Sequence, residues 1–312
     1  MSRVGVVTNP AAGSGRGAGP GARTLAGLTA AGHDVTDLTR GSWAEALEAA
    51  DAAASSLDAL VVVGGDGMVH LGAQVCAERD LPLGIVAAGS GNDLAATVGL
   101  PVGDVAAGVT AVVDALADQA SSLTIDLGKV TSDALSTLSR PRYFAGVLSA
   151  GVDAAIAARG MRLRVPRGPA KYKVAIGLEL PRFRPYGARL TLDGHSGAAD
   201  RYTLIAIANG TFIGGGIPIS PSSSLTDGML EVITADALTL PQIAAILPRL
   251  QRGEHLSHPA VHVRRAREVT LAPANPGAAL PVASADGELV CAAPVTVTCV
   301  PGALRLLVPG RD

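Results

Sequence analysis

The sequence predicts two domains of different class: an N-terminal three-layer α/β half and a C-terminal antiparallel β-sandwich or barrel. Three observations carry that prediction. Leu60-Val61-Val62-Val63 is an apolar β-branched run that stops at Gly64-Gly65-Asp66-Gly67, the pattern of a buried strand entering a tight turn. The theme returns where Leu83-Gly84-Ile85-Val86-Ala87 is followed by Gly89-Ser90-Gly91-Asn92-Asp93. Beyond Ser122 the texture changes, and strand-like runs follow one another between turns such as Asp193-Gly194, Asn209-Gly210 and Asp286-Gly287.

Taken in order, residues 3–8 form a short apolar strand that ends in a glycine-rich stretch, Asn9-Pro10-Ala11-Ala12-Gly13-Ser14-Gly15-Arg16-Gly17. A helix is expected near Ala22–Ala31, a strand at Asp34–Leu38 and an Ala/Glu-rich helix at Trp43–Ala54. After the Gly64 turn a helix covers Val69–Arg79, another follows Asp93, and a third spans Asp104–Ala117. Such alternation gives a parallel sheet with helices on both faces. The first glycine loop lacks the Lys-Ser/Thr of a P-loop and the acidic partner of a dinucleotide fingerprint. In the second half the strand runs are Leu123–Val130, Arg142–Ser149, Ala188–Leu192, Tyr202–Asn209, Met229–Thr234, Val261–Val263, Glu268–Leu271, Glu288–Val290, Val295–Val300 and Ala303–Val308. One helix, Leu240–Leu250, interrupts them.

Composition narrows the function classes. The 312 residues are 48% apolar and 17% charged, with 25 basic against 27 acidic side chains and a formal charge of −2. A nucleic-acid binder needs a basic surface, so that class is excluded. Cys76, Cys291 and Cys299 are odd in number and without CxxC spacing, which points to a reducing compartment. The N-terminal apolar run breaks at Asn9-Pro10, too early for a signal peptide. No segment has the ~18 uninterrupted apolar residues of a membrane span.

Several carboxylates stand beside glycines at strand ends: Asp66, Asp93, Asp126, Asp227, Asp286 and Glu288. In an open α/β sheet ligands bind at the carboxyl ends of the strands. Glycines there admit a phosphate to the backbone, and carboxylates reach a metal or its water shell. Phosphoryl transfer asks for both, together with a base that takes the acceptor's proton.

The chain resembles the bacterial diacylglycerol kinase catalytic family, whose fold is shared with sphingosine and ceramide kinases and, more distantly, NAD kinases. Asn9-Pro10 with Gly13 to Gly17 resembles the family's opening NP-SG loop. Gly64-Gly65-Asp66-Gly67 resembles its GGDGT, and Gly89-Ser90-Gly91-Asn92-Asp93 its GTxND. Ile125-Asp126-Leu127-Gly128, Ala150-Gly151-Val152-Asp153, Asn209-Gly210, Gly214-Gly215-Gly216 with Pro218, Asp227-Gly228-Met229-Leu230-Glu231 and Asp286-Gly287-Glu288 follow in the family's order.

That resemblance implies an ATP-binding domain over 1–126 and a lipid-substrate domain over 127–312, with the final ~15 residues packing back on the first domain and the active site in the cleft. ATP would set its phosphates on the backbone of Gly64, Gly65, Asp66, Gly67, Met68, Val69 and His70, near Ser90 and Asn92, with Asn9 and Thr39 also at nucleotide positions. Asp286 would be the general base on the lipid hydroxyl, supported by Glu288. Asp66, Asp93 and Asp126 would hold a Mg²⁺–water network, and Asp227, the Met229 backbone and Ser224 match a structural Mg²⁺ site. The pattern departs from the family where its GGDGT threonine is Met68, its asparagine is His70, a glutamate is Leu71, and a frequent lysine is Ser224. Met at that first position also occurs in ceramide-kinase-like members.

The expected reaction is ATP- and Mg²⁺-dependent phosphorylation of diacylglycerol. A sphingoid- or ceramide-type acceptor, an NAD kinase and a degenerate nucleotide- or lipid-binding protein are the alternatives. Arg159, Arg162, Arg164, Arg167, Lys171 and Lys173, interleaved with Met161, Leu163 and Val165, form a cationic segment suited to an anionic leaflet. The expected place is the cytoplasm, peripheral to the inner face of the membrane. A homodimer through an exposed edge strand is a further expectation. His255, His258 and His262 fit no zinc spacing, and Trp43 reads as packing.

Overall fold

The computed structural model describes residues 1–9, 19–118, 122–132, 142–163 and 169–309, the side chains of residues 169–173 excepted. The stretch from Pro10 to Gly17, Arg164, Arg167 and the side chains of Lys171 and Lys173 lie outside the described residues. The chain divides into two compact units, Met1–Leu127 with Pro301–Asp312, and Gly128–Val300.

The first unit contains β1 (Arg3–Thr8), α1 (Pro20–Ala30), β2 (Asp34–Asp37), α2 (Trp43–Ala53), β3 (Ala59–Gly64), α3 (Asp66–Cys76), β4 (Leu83–Ala87), α4 (Asp93–Thr97), α5 (Val105–Ala117) and the start of β5 (Ser122–Thr131). Strands β2, β1, β3 and β4 lie side by side and parallel. Every residue of β3 and β4 is buried, as expected of parallel strands covered on both faces. Val4, Val6, Val61, Val63 and Val86 face Leu28 of α1 and Val105, Val109 and Val112 of α5. On the opposite face α3 lies so close to the sheet that a Cβ on Gly72 would stand 2.6 Å from Leu83 and 3.2 Å from Val62. Local signals set the helix starts: Ser42 and Glu45 form a capping box for α2, the Asp104 side chain caps α5, and Pro20 opens α1.

The second unit adds β6 (Arg142–Phe144), β7 (Val147–Ser149), α6 (Val152–Arg162), α7 (Pro169–Glu179), β8 (Tyr186–Leu192), β9 (His195–Ser196), β10 (Asp200–Ala208), β11 (Phe212–Ile213), β12 (Ile217–Pro218), β13 (Leu230–Asp236), α8 (Leu240–Gln251), β14 (Val261–Ala266), β15 (Glu268–Pro273), β16 (Ala283–Ala285), β17 (Glu288–Cys291) and β18 (Val295–Leu307). Its pairing is antiparallel throughout the described strands: β14 with β13, β13 with β10, β10 with β7 and β8, β8 with β15, and β7 with β16. Phe144, Leu148, Ile205, Ile207, Leu230, Val269, Leu271 and Val297 form one core with strands on both sides. Outside it, α8 lays Ile243, Ile246 and Leu250 over Ile233 and Ala235. The α6–α7 pair packs Val152, Ile156 and Ala175 around Tyr186.

The structure corrects the sequence reading in three places. The β half holds three helices among the described residues, not one: α6 and α7 flank a stretch whose basic residues mask a helical face at Val152, Ala154 and Ile156. The expected strand Arg142–Ser149 is broken at Ala145-Gly146, because both N–H groups there are drawn to the Asp286 carboxylate. Val295–Val300 and Ala303–Val308 are instead one strand, β18, which runs through Pro301 and the left-handed Gly302 (φ 62°). The boundary between the units falls within it.

Gly128 of β5 is opposite Phe144 of β6, and a Cβ there would lie 2.2 Å from the buried ring. Gly128→Ala should lower unfolding stability by about 1–3 kcal/mol, measured by urea denaturation. Combined with Phe144→Leu, it should cost less than the sum of the two single changes, since the smaller side chain vacates the ring position.

Candidate active site

Asn9, Thr39 and Gly64 come together at the carboxyl ends of β1, β2 and β3. The Asn9 N–H donates to the Val63 carbonyl at 3.1 Å, and the Thr39 hydroxyl accepts from the Thr8 N–H at 3.0 Å. Gly64 has φ 155°, and a Cβ on it would stand 2.6 Å from the Met68 side chain.

Gly65 then caps α3, whose first-turn amides sit at the strand end where an anion is stabilised. The Met68 and Val69 N–H groups donate to the Gly65 carbonyl, and the Met68, Val69 and His70 side chains are buried. These three therefore shape the helix start from within, while Gly65, Asp66 and Gly67 form its partly exposed edge. The Trp43 indole N–H donates to the Gly67 carbonyl at 3.3 Å, and its ring lies 6.1 Å from that of His70. No sequence signal marked Trp43 as part of this turn.

The second glycine turn closes on the first. Asp66 accepts from the Asn92 N–H at 2.9 Å and from the Asp93 N–H at 2.7 Å, one to each carboxylate oxygen. Asn92 is left-handed (φ 64°) and ties both the N–H and the carbonyl of Gly89 with its side-chain amide. A Cβ on Gly89 would come within 2.3 Å of the Gly65 Cα, so the two turns meet backbone to backbone. Ser90 is exposed between them. Asp126, on β5, is buried and accepts from the Gly302 N–H at 2.8 Å.

In the second unit Asp286 and Gly287 form the two-residue loop between β16 and β17, both with positive φ (50° and 84°). That is the backbone of an Asp-Gly type I′ hairpin. The Asp286 carboxylate accepts from the Ala145 N–H at 3.1 Å and the Gly146 N–H at 2.9 Å, which fixes its direction. Glu288 pairs across the turn with Ala285. Gly146 and Gly210 make room: a Cβ on Gly146 would be 2.7 Å from an Asp286 oxygen, and one on Gly210 would be 3.2 Å from the Gly146 Cα.

Ser224, Asp227 and Met229 lie together in one turn of the second unit. One Asp227 oxygen accepts from the Met229 N–H at 3.1 Å, and the other is ion-paired with Arg265. Next to this turn, buried Glu231 takes hydrogen bonds from Ser220 and, at 3.0 Å, from Ser222. It thereby anchors the segment that carries Ser224, a role that the motif alone did not reveal.

One buried carboxyl stands apart. Asp153, in the first turn of α6, is partly exposed as a residue, yet both of its carboxylate oxygens are buried. Burial pushes its carboxyl above the usual carboxylate range, opposed by the nearby Ser149 hydroxyl and the N–H groups at the start of α6. None of these completes a hydrogen bond of ordinary geometry to it, and the buried Ser149 hydroxyl is also without a partner among the described residues. Leaving such groups unpaired costs about 1–3 kcal/mol each. The Tyr186 hydroxyl is pushed up to about 12 by burial and by the Glu179 and Asp153 charges.

Comparison with known proteins gives the family. Residues 3–130 match the diacylglycerol kinase catalytic domain, and residues 146–308 match the YegS C-terminal NAD kinase beta sandwich-like domain. A diacylglycerol kinase of Mycobacterium tuberculosis is 34% identical over 310 residues, covering 99% of this chain and 96% of that protein. The chain belongs to the diacylglycerol kinase family. A probable lipid kinase YegS-like of Stenotrophomonas maltophilia is 27% identical over 276 residues, covering 83% of this chain and 82% of that protein. Among solved structures, a diacylglycerol kinase from Bacillus anthracis superposes with a TM-score of 0.67 at 17% identity, over 98% of this chain and 96% of that one. An NAD kinase from Archaeoglobus fulgidus in complex with ATP gives 0.53 at 12% identity, over 98% and 93%. The two structural likenesses speak for the fold, and the sequence matches make this a lipid kinase.

Gly146→Ala should lower kcat at least tenfold with little loss of stability, because the new methyl displaces the Asp286 carboxylate. Steady-state kinetics beside a thermal melt checks it. A second expectation concerns pH. A carboxyl whose folded pKa is raised binds its proton more tightly when folded, so its stabilising effect holds below the unfolded value near ~4 and is lost as pH rises. Asp153→Asn should therefore gain stability relative to wild type as pH rises above the unfolded value. Urea midpoints at several pH values would show it, and a difference independent of pH would count against a buried, titrating carboxyl.

Proposed function

We propose that this lipid kinase transfers the γ-phosphate of ATP to the free hydroxyl of diacylglycerol, giving phosphatidic acid and ADP. The observation that carries the reading is Asp286, aimed by two backbone N–H groups in a hairpin of the matching family domain. The first unit would receive ATP, with the phosphates against the Gly64–Gly67 turn, the α3 N-terminus and the turn from Ser90 to Asp93. Asn9 and Thr39 would border the nucleotide. Met68, buried against Gly64, offers no hydroxyl, so that part of the contact falls to backbone amides.

The second unit would supply the base. Asp286 takes the hydroxyl proton as the lipid oxygen bonds to the γ-phosphorus and the bond to the bridging oxygen of ADP breaks. Glu288, two residues on, supports Asp286 by keeping the local charge negative. Asp66, Asp93 and Asp126 are hard oxygen donors of the kind Mg²⁺ takes and would hold it through water. When bound, it neutralises phosphate charge. Asp66 also braces the second turn through the Asn92 and Asp93 amides.

No described helix is long and apolar enough to cross a membrane. Peripheral docking on an anionic inner leaflet is supported by the α6–α7 surface. Met161, Val174 and Leu178 are exposed there by 49%, 38% and 40%, and Arg162, Arg182 and Arg184 are exposed with them. Basic residues near such a surface contribute about 1 kcal/mol each.

The test is transfer of labelled γ-phosphate in mixed micelles with Mg²⁺ to diacylglycerol, monoacylglycerol, sphingosine and ceramide, with NAD as a soluble control. Wild type should label diacylglycerol. Asp286→Asn should lose at least a thousandfold in kcat while still binding ATP. Labelling of sphingosine or ceramide alone would replace the acceptor and keep the chemistry. ATP binding with no labelled product would sink the kinase assignment of these residues.

A further inference from the structure

The buried pair Ser149 and Asp153 has no role in the reaction as derived, yet Ser149 is on the strand that pairs with the hairpin of the proposed base. Ser149 is directly opposite Ser284 in the β7–β16 register, and Leu148 is opposite Ala285. The Asp286 N–H continues the ladder by donating to the Val147 carbonyl. Ser149 is thus two residues along the sheet from the position facing Asp286, a distance of about 7 Å. The Asp153 carboxyl stands over Ser149 from the first turn of α6.

Three polar oxygens are buried at this spot without a hydrogen-bond partner among the described residues, a rare condition in a native interior and one that calls for a partner. The surroundings are apolar: Val152, Ile156, Ala175 and Tyr186, with Phe183 and Leu280 against them. The basic side chain nearest along α6, Arg159, is engaged by Glu179. Among the described residues no basic side chain is bonded to Asp153, and burial favours the uncharged form of its carboxyl. A neutral carboxyl and a hydroxyl are two donors in an apolar wall.

We propose that Ser149 and Asp153 form a subsite for an ester carbonyl of the glycerolipid acceptor, making the enzyme selective for ester-linked glycerolipids. The proposal rests on the diacylglycerol reading above and adds the group by which the glycerol backbone is read. The carbonyl only accepts hydrogen bonds, so it pairs with both donors without bringing charge into the apolar wall. Ser149 and the Asp286 hairpin share the β7–β16 ladder, so a carbonyl held at Ser149 and a hydroxyl held at Asp286 would lie along the same strand. A cationic sphingoid amine would require Asp153 to ionise inside that wall.

The experiment compares dioctanoylglycerol with dioctylglycerol, its ether counterpart, which has the same hydroxyl and chains but no carbonyl. Wild type should prefer the ester in kcat/KM by about tenfold, the value of roughly one good hydrogen bond. Asp153→Leu should bring ester and ether to near equality, mainly by raising KM for the ester. Asp153→Asn, which keeps a donor, should retain most of the preference, and Ser149→Ala should lose part of it. Loss of both substrates in equal proportion in Asp153→Leu, or no ester preference in wild type, overturns the subsite and leaves the kinase reading standing. Should Asp153→Leu fail to fold, Ser149→Ala and Asp153→Asn decide by the same ratio. If wild type phosphorylates neither glycerolipid, the reading and the subsite both fall.

Discussion

The first unit depends on the contact of two glycines. Gly65 and Gly89 stand so close that a methyl group on either would strike the opposite turn. Only this proximity lets one short side chain, Asp66, reach the amides of both Asn92 and Asp93. Charge-assisted bonds of this kind are among the stronger ones in proteins, and here both carboxylate oxygens are used. With the turns locked together, the start of α3 and the start of α4 are fixed relative to each other. A phosphate-binding surface built from backbone amides needs that rigidity, because an amide cannot change rotamer to follow its ligand.

The second unit uses the same device with a different outcome. Asp286 also spends its carboxylate on two backbone N–H groups, and the cost is a broken strand between β6 and β7. The left-handed backbone of Asp286 and Gly287 is what places the carboxylate over that break. In both units an aspartate in a glycine turn holds a distant segment. At Asp227 the partner is a side chain, Arg265, and the result is an ion pair. Similar Asp-Gly sequences thus take different physical roles according to what the fold brings to the carboxylate.

Surface ion pairs add little to this framework. Arg3 holds the Asp58 carboxyl at about 2, yet both are exposed, and such pairs contribute only modestly in water. The buried valines of the parallel sheet and the core around Phe144 and Leu148 carry the stability. The polar groups within that apolar interior, Glu231 with its serines and Ser149 beside Asp153, are where function has to be sought, since each must be matched or left at a cost.

The sequence by itself determined the class of each half. Val61 to Val63 ending in glycines, with helices between such strands, leaves a parallel sheet as the only way to bury them. The Asp-Gly turns of the second half specify hairpins by the same local logic, because few other residues accept left-handed backbone. The candidate site residues stand out in the sequence as motifs, since glycine and aspartate at strand ends have few structural uses. Tertiary structure alone decided the rest. That Asp66 braces a neighbouring turn, that Arg265 takes Asp227, that Trp43 reaches the Gly67 carbonyl and that Asp153 is buried without a partner depend on segments distant in the chain. The α6–α7 pair escaped the sequence reading for a related reason. Its buried face appears only once Tyr186 and the β10 backbone provide something to pack against.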